Sequence, residues 1–169
     1  MATDARENLI AWLRDAHAME EQAETMLRAQ YGRIENYPEL KDKVGQHLKE
    51  TQQHAVLVKG CLDRLAGGTS TVKDSAAKLT AMMQGIGGVF ASDEVVKGSL
   101  ASYTFEHMEI ASYRILIAAA ESLGDQETAT ACRRILQDEI EMAEWLEENL
   151  GAVTLQFLSR DESDLQAKR

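Results

Sequence analysis

The sequence predicts an all-α protein, a single bundle of four long helices, and three observations carry that expectation. Apolar residues recur at spacings of three and four over long stretches, which is the period of a helix buried on one face. Ala, Leu, Glu and Gln are abundant while proline occurs once, at Pro38, so helix-favouring residues dominate and helix breakers are scarce. Breaks in the periodicity coincide with residues that start or stop helices, and they divide the chain into segments of bundle length.

The first helix is expected to begin at Asp4, whose carboxylate can accept from the free amides of the first turn, with Glu7 three residues on completing a capping box. Leu9, Trp12, Leu13, Met19, Ala23 and Leu27 then recur at helical spacing. The Asn36-Tyr37-Pro38 step ends it, because a residue before proline disfavours the helical conformation, and Pro38 suits the first turn of a second helix. That helix is expected to reach about Ala66 and to close on Gly67-Gly68. Residues 68 to about 92 are too long for a tight turn. Their apolar middle, Ala76, Leu79, Met82, Met83 and Ile86, predicts a crossover containing a short helix. Ser92, Asp93 and Glu94 start helix three, Gly124-Asp125 ends it and caps helix four, and helix four is expected to stop near Gly151. Residues 1–169 thus read as one domain with 150–169 as a C-terminal tail. Two short links and one long central crossover among four helices define the ferritin-like topology.

Composition narrows the function. A net charge of −10 repels nucleic-acid phosphates and anionic lipid headgroups, so neither nucleic acid nor membrane is an expected partner. No stretch approaches a membrane span, the N-terminus lacks the basic-then-apolar pattern of a signal peptide, and the expected location is cytoplasmic. Cys61 and Cys132 lie in apolar helical stretches without paired spacing and read as buried, reduced thiols. The Gly85-Ile86-Gly87-Gly88 cluster lacks the strand and the spacing of a phosphate-binding loop.

Several acids face inward when judged from their apolar neighbours. Glu20 continues the apolar face of helix one. His47, Glu50 and His54 share a face of helix two with Leu57 and Cys61, Glu106 and Glu109 precede Tyr113 and Leu116, and Glu139 sits among Leu136, Met142, Ala143 and Leu146. An ionised carboxylate in a bundle core costs several kcal/mol, so one per helix calls for compensation. Divalent metal supplies it: two cations neutralise four carboxylates, and oxygen with imidazole ligands suits iron or manganese. Glu20, Glu50, Glu109 and Glu139 form the expected set, with Glu106 and His54 beside them. The bundle pattern of a glutamate from each of two helices and Glu-x-x-His from the others is met only in part. Gln53 stands three after Glu50 and Met142 three after Glu139, so a centre here would be carboxylate-rich, would use His54 or His47 in another geometry, or would be vestigial.

The segments Trp12 to Glu20, Asn36 to Leu40, His47 to Thr51, Ser92 to Ser99 and Glu106 to Ala111 resemble the YciE/YciF family of bacterial ferritin-like stress proteins, with YciE the nearer branch. The resemblance spans nearly the whole chain. It implies a ferritin-like bundle, a homodimer and a role in bacterial stress, with Glu20, Glu50, His54, Glu106, Glu109 and Glu139 at metal-ligand positions. Two functions are expected from it. One is a dinuclear iron or manganese protein acting on a small-molecule oxidant or on free iron. The other is a non-enzymatic bundle that serves through partner binding or oligomerisation.

Overall fold

The computed structural model describes residues 4–67, 92–163 and 165–167. Among these residues there are four helices and no strand: α1 (Ala5–Arg33), α2 (Pro38–Ala66), α3 (Glu94–Ser122) and α4 (Gln126–Glu162). The ferritin-like expectation holds in its main lines. α1 and α2 form one antiparallel hairpin, α3 and α4 the other, and α1 packs on α3 while α2 packs on α4. The crossover joins the hairpins across residues 67–93, and the short helix expected there lies outside the described residues.

The helix ends obey local chemistry. Asp4 accepts from the Arg6 amide at the start of α1, and Pro38 opens α2, where a missing N–H leaves no bond unmade. Gly67 and Gly124 have φ of 64° and 71°, the left-handed conformation that ends α2 and lets the chain turn between α3 and α4. Asp125 caps α4 by accepting from the Thr128 amide at 3.2 Å, and Arg64 of α2 holds the same carboxylate at 2.7 Å, tying the two hairpins together.

Helix four is longer than its sequence suggests: it runs through Gly151 to Glu162, so residues 150–162 are helical and the expected stop near Gly151 is corrected. A glycine inside a helix costs only about 1 kcal/mol relative to alanine. Val153 and Phe157, packed on the apolar cluster at this end, outweigh it. Beyond α4 the chain is pinned back on the α1–α2 loop. Asn36 Nδ2 donates to the Gln166 carbonyl at 3.2 Å, and the buried Tyr37 hydroxyl donates to the Ala167 carbonyl.

The core is in two pieces. One cluster gathers Leu9, Leu13, Met19, Val58, Phe105, Tyr113, Leu116 and Ile135; the other gathers Leu27, Tyr37, Leu40, Val44, Val95, Met142, Leu146 and Val153. On α2 and α4 the buried residues between these groups are polar: His47, Thr51, His54 and Glu139. On α1 and α3, Glu20, Glu106 and Glu109 stand at the inner edge of the first cluster, and together these residues form a polar layer within the bundle. Trp12, expected on the buried stripe, is 42% exposed. Among the described residues no helix is long and apolar enough to cross a membrane.

Candidate metal centre

The buried positions of α2 run Leu40, Val44, His47, Thr51, His54, Val58 and Cys61, alternating steps of four and three. That alternation is the stripe a bundle helix turns to its neighbours. The same rhythm carries Leu9, Leu13, Ala16, Glu20, Ala23 and Leu27 in α1, Ser102, Glu106, Glu109, Tyr113 and Leu116 in α3, and Cys132, Ile135, Glu139, Met142 and Leu146 in α4. Five of the six residues singled out from sequence stand on these stripes. Glu50 does not.

The stripes converge on two groups of donors. His47, Glu106, Glu109 and Glu139 can each offer a ligand atom within 4.8 Å of the others, and so can Glu20, His54 and Glu139. All six of these residues are at most 2% exposed. Glu139 belongs to both groups, and its two oxygens divide between them: Oε2 lies 3.2 Å from His47 Nε2 and Oε1 lies 2.9 Å from His54 Nδ1. Glu106 Oε2 is 3.1 Å from His47 Nε2, and Glu20 Oε2 is 3.6 Å from His54 Nδ1.

These inward atoms are close without being paired. Glu20 Oε2, His47 Nε2, His54 Nδ1, Glu106 Oε2, Glu109 Oε1 and both oxygens of Glu139 are buried and make no aligned hydrogen bond. Buried polar atoms ordinarily find partners, and a cluster of orphans aimed at shared points is what a coordination site presents. The nitrogens on the other sides of the rings behave differently. His47 Nδ1 is hydrogen-bonded to Glu50 Oε2 at 3.1 Å, and His54 Nε2 to Asp138 Oδ2 at 3.0 Å. Glu50 therefore sits outside both groups, its other oxygen accepting from Gln46 Nε2 at 2.8 Å, with its side chain 24% exposed. His47, offered by the sequence only as an alternative, lies between Glu106 and Glu139.

The electrostatics are those of charges withdrawn from water and forced together. Burial pushes Glu109 well above the usual carboxyl range, and the charges of Glu139, Glu20 and Glu106 push it further. Glu106 is raised by burial to about 7 and Glu20 is raised chiefly by burial. Burial alone would raise Glu139 too, but the close approach and charge of His47 and His54 outweigh it and hold that carboxyl down at about 2. Burial would lower both imidazoles, yet the surrounding carboxylates keep His54 at about 10 and His47 well above its ordinary value. Tyr113, fully buried, donates its hydroxyl to Glu20 Oε1 and so fixes that carboxylate's orientation.

Six side chains thus supply four carboxylates and two imidazoles, the donor inventory of the bundle pattern in a different distribution. Both imidazoles come from α2, seven residues apart, and α4 contributes none. The four-three stripe was the signal available in the sequence: it selects His47 and His54 and passes over Glu50, whereas proximity along the helix does not separate them.

Comparison with known proteins gives a consistent frame. The sequence profile of a family described as "Domain of unknown function (DUF892)" matches residues 4–159. Among solved structures, a protein from Xanthomonas campestris is 49% identical over 94% of this chain and 99% of its own, with a TM-score of 0.79. The Escherichia coli stress protein YciF is 20% identical, over 88% of this chain and 96% of its own, with a TM-score of 0.75. YcfI from Rhodopseudomonas palustris is 24% identical, over 86% and 94% respectively, with a TM-score of 0.74. These last two likenesses speak for the ferritin-like fold.

Proposed function

This chain belongs to the DUF892 family, and from that footing we propose that it is a bacterial stress-response protein whose bundle core holds a carboxylate-rich pair of iron or manganese ions, used in handling peroxide or free iron. Within the YciE/YciF-like group its place is nearest YciE, on the strength of segments such as Trp12 to Glu20 and Glu106 to Ala111. The observation that carries the proposal is the set of seven buried donor atoms, converging from all four helices and left without aligned hydrogen bonds.

The residues fit such a pair in charge and in type. Glu20, Glu106, Glu109 and Glu139 carry four negative charges when ionised, which two divalent cations cancel, and the oxygen-plus-imidazole set suits iron or manganese. His47, Glu106, Glu109 and one oxygen of Glu139 would hold one ion; Glu20, His54 and the other oxygen of Glu139 would hold the second. A bound pair would supply Lewis acidity and electrons for a small oxidant. Glu139 spans the two positions, Tyr113 steadies Glu20, and the apolar clusters on either side keep water out of the layer. The second group offers three residues against four, leaving more room there for an exogenous ligand.

A second reading has one observation in its favour. Protonated His47 and His54 facing an ionised Glu139, with protons retained on Glu109 and on one of Glu20 and Glu106, would balance the cluster without metal, as a purely structural bundle requires. Elemental analysis of protein purified from iron- and manganese-supplemented cells separates the two, with Glu109→Ala and Glu139→Ala alongside. About two ions per wild-type chain, reduced in both variants, is the expected outcome; a wild type without bound metal would leave the structural reading. The proposed assembly is a cytoplasmic homodimer, supported by Leu155 and Leu158, which remain 70% and 48% exposed on α4. Sedimentation at monomer mass would remove it.

A further inference from the structure

Each imidazole of the centre has two faces, and the structure gives them different company. The inward nitrogens, His47 Nε2 and His54 Nδ1, face the orphaned acid oxygens without aligned hydrogen bonds. The outward nitrogens, His47 Nδ1 and His54 Nε2, are each hydrogen-bonded to one carboxylate that meets solvent, Glu50 at 24% and Asp138 at 31% side-chain exposure. An ionised carboxylate only accepts, so each of these bonds requires the N–H on the outward nitrogen. The lone pair of a neutral ring is then left on the inward one. A carboxylate on the far side of a metal-binding imidazole fixes its tautomer, holds the ring plane and raises its basicity.

We propose that Glu50 and Asp138 are positioning residues, outside the coordination sphere, that select the ligating nitrogen of each histidine: Nε2 of His47 and Nδ1 of His54. The proposal rests on the metal-site reading of this bundle and adds to it the identity of the residues that tune it. Glu50 has both oxygens engaged away from the cluster, one with His47 and one with Gln46, so it has no oxygen to spare for an ion between Glu106 and Glu139. Asp138 and Glu139 are adjacent on α4, and a helix turns successive residues through about 100°. They accordingly take opposite sides of His54, Glu139 Oε1 at Nδ1 and Asp138 Oδ2 at Nε2. This also accounts for the absence of a histidine from α4. The second imidazole comes from α2 instead, and α4 supplies the acid that aims it.

Cobalt(II) titration of the metal-free protein, followed through the visible ligand-field bands, gives stoichiometry and affinity together. Wild type, Glu50→Ala, Asp138→Ala, Glu109→Ala and the exposed-charge control Glu148→Gln are compared. The expected result is that Glu50→Ala and Asp138→Ala still take up two ions, one of them about tenfold to a hundredfold more weakly and with altered bands. Glu109→Ala should bind one ion fewer or nearly so, and Glu148→Gln should match wild type. Glu50→Gln and Asp138→Asn retain an acceptor without its charge, guard against failure of the alanine variants to fold, and should fall between alanine and wild type. Loss of one ion outright in Glu50→Ala would make Glu50 a ligand and overturn the proposal. Wild-type affinity and bands in both alanine variants, with Glu109→Ala impaired, would overturn it while sparing the metal site. Absence of cobalt uptake by wild type would overturn the metal-site reading and this inference with it.

Discussion

Raising the pH of the metal-free protein from about 6 to about 8 is a perturbation whose effect on metal uptake can be worked from the buried layer, because ligation requires bare imidazole nitrogens and ionised carboxylates. Without metal, His54 holds its proton up to about 10, so it is charged throughout this range, and the surrounding carboxylates shift His47 towards its charged form as well. Burial and the neighbouring acids shift Glu109 towards its protonated form as well, and Glu106, at about 7, keeps a proton part of the time. Loading both positions must therefore expel at least the two imidazolium protons. Each proton displaced contributes a tenfold rise in affinity per pH unit, or about 1.4 kcal/mol, so the overall constant for two ions should climb roughly a hundredfold per unit or more. Titration calorimetry with Mn2+ in two buffers of different ionisation enthalpy counts the protons directly. Full loading with no net proton release, and an affinity flat across the range, would refute the reasoning. The metal-free stability should move the opposite way. The folded His54 pKa of about 10 lies above the reference of 6.5, so its contribution is fully present below 6.5 and disappears as pH rises through 10. Glu106, raised from 4.5 to about 7, likewise removes stability as pH climbs between those values. Glu139, held at about 2, has the contrary sign: its contribution is present above 4.5 and is lost as pH falls through about 2.

Replacing Glu109 with leucine should reverse sign with metal: the metal-free protein gains about 1–4 kcal/mol by losing a buried acid with an unpaired oxygen, while the stabilisation by added Mn2+ shrinks, both read from urea unfolding. Gly151→Ala, with nothing within 4 Å of the added carbon, should stabilise α4 by roughly 1 kcal/mol without altering metal uptake; a lower melting temperature would contradict the continuous helix. Asp125→Ala removes the cap of α4 and the partner of Arg64, and should cost about 1–2 kcal/mol in denaturant unfolding.

The helices were legible because their ends are written in local chemistry: Asp4, Pro38, Gly67, Gly124 and Asp125 each act within a turn of the boundary they set. Gly151 misleads for the opposite reason. Whether a glycine stops a helix depends on what lies beyond it, and Val153 and Phe157 find a surface that only the assembled bundle provides. The buried layer was legible as a set of residue types on inward faces. The division of labour within it was not, since Glu50 and His47 are both neighbours of His54 along α2 and only the opposing helices decide which of them meets Glu106 and Glu139. Asp138 gives no sequence signal apart from its place beside Glu139. Its relation to His54 spans 84 positions and exists only after α2 and α4 have packed.

The splitting of the core has a consequence for how such a protein can change by mutation. Leu9, Leu13 and Ile135 on one side and Leu40, Val44 and Leu146 on the other pack without help from the layer between them. Selection on foldability therefore acts on the two ends, and selection on chemistry acts on the middle. A substitution in the middle that exchanges an acid for an apolar residue leaves both ends intact. Descendants of one bundle can thus gain, move or lose donor side chains while keeping the same four helices, so that shared architecture among relatives reports ancestry more faithfully than it reports what any one of them binds.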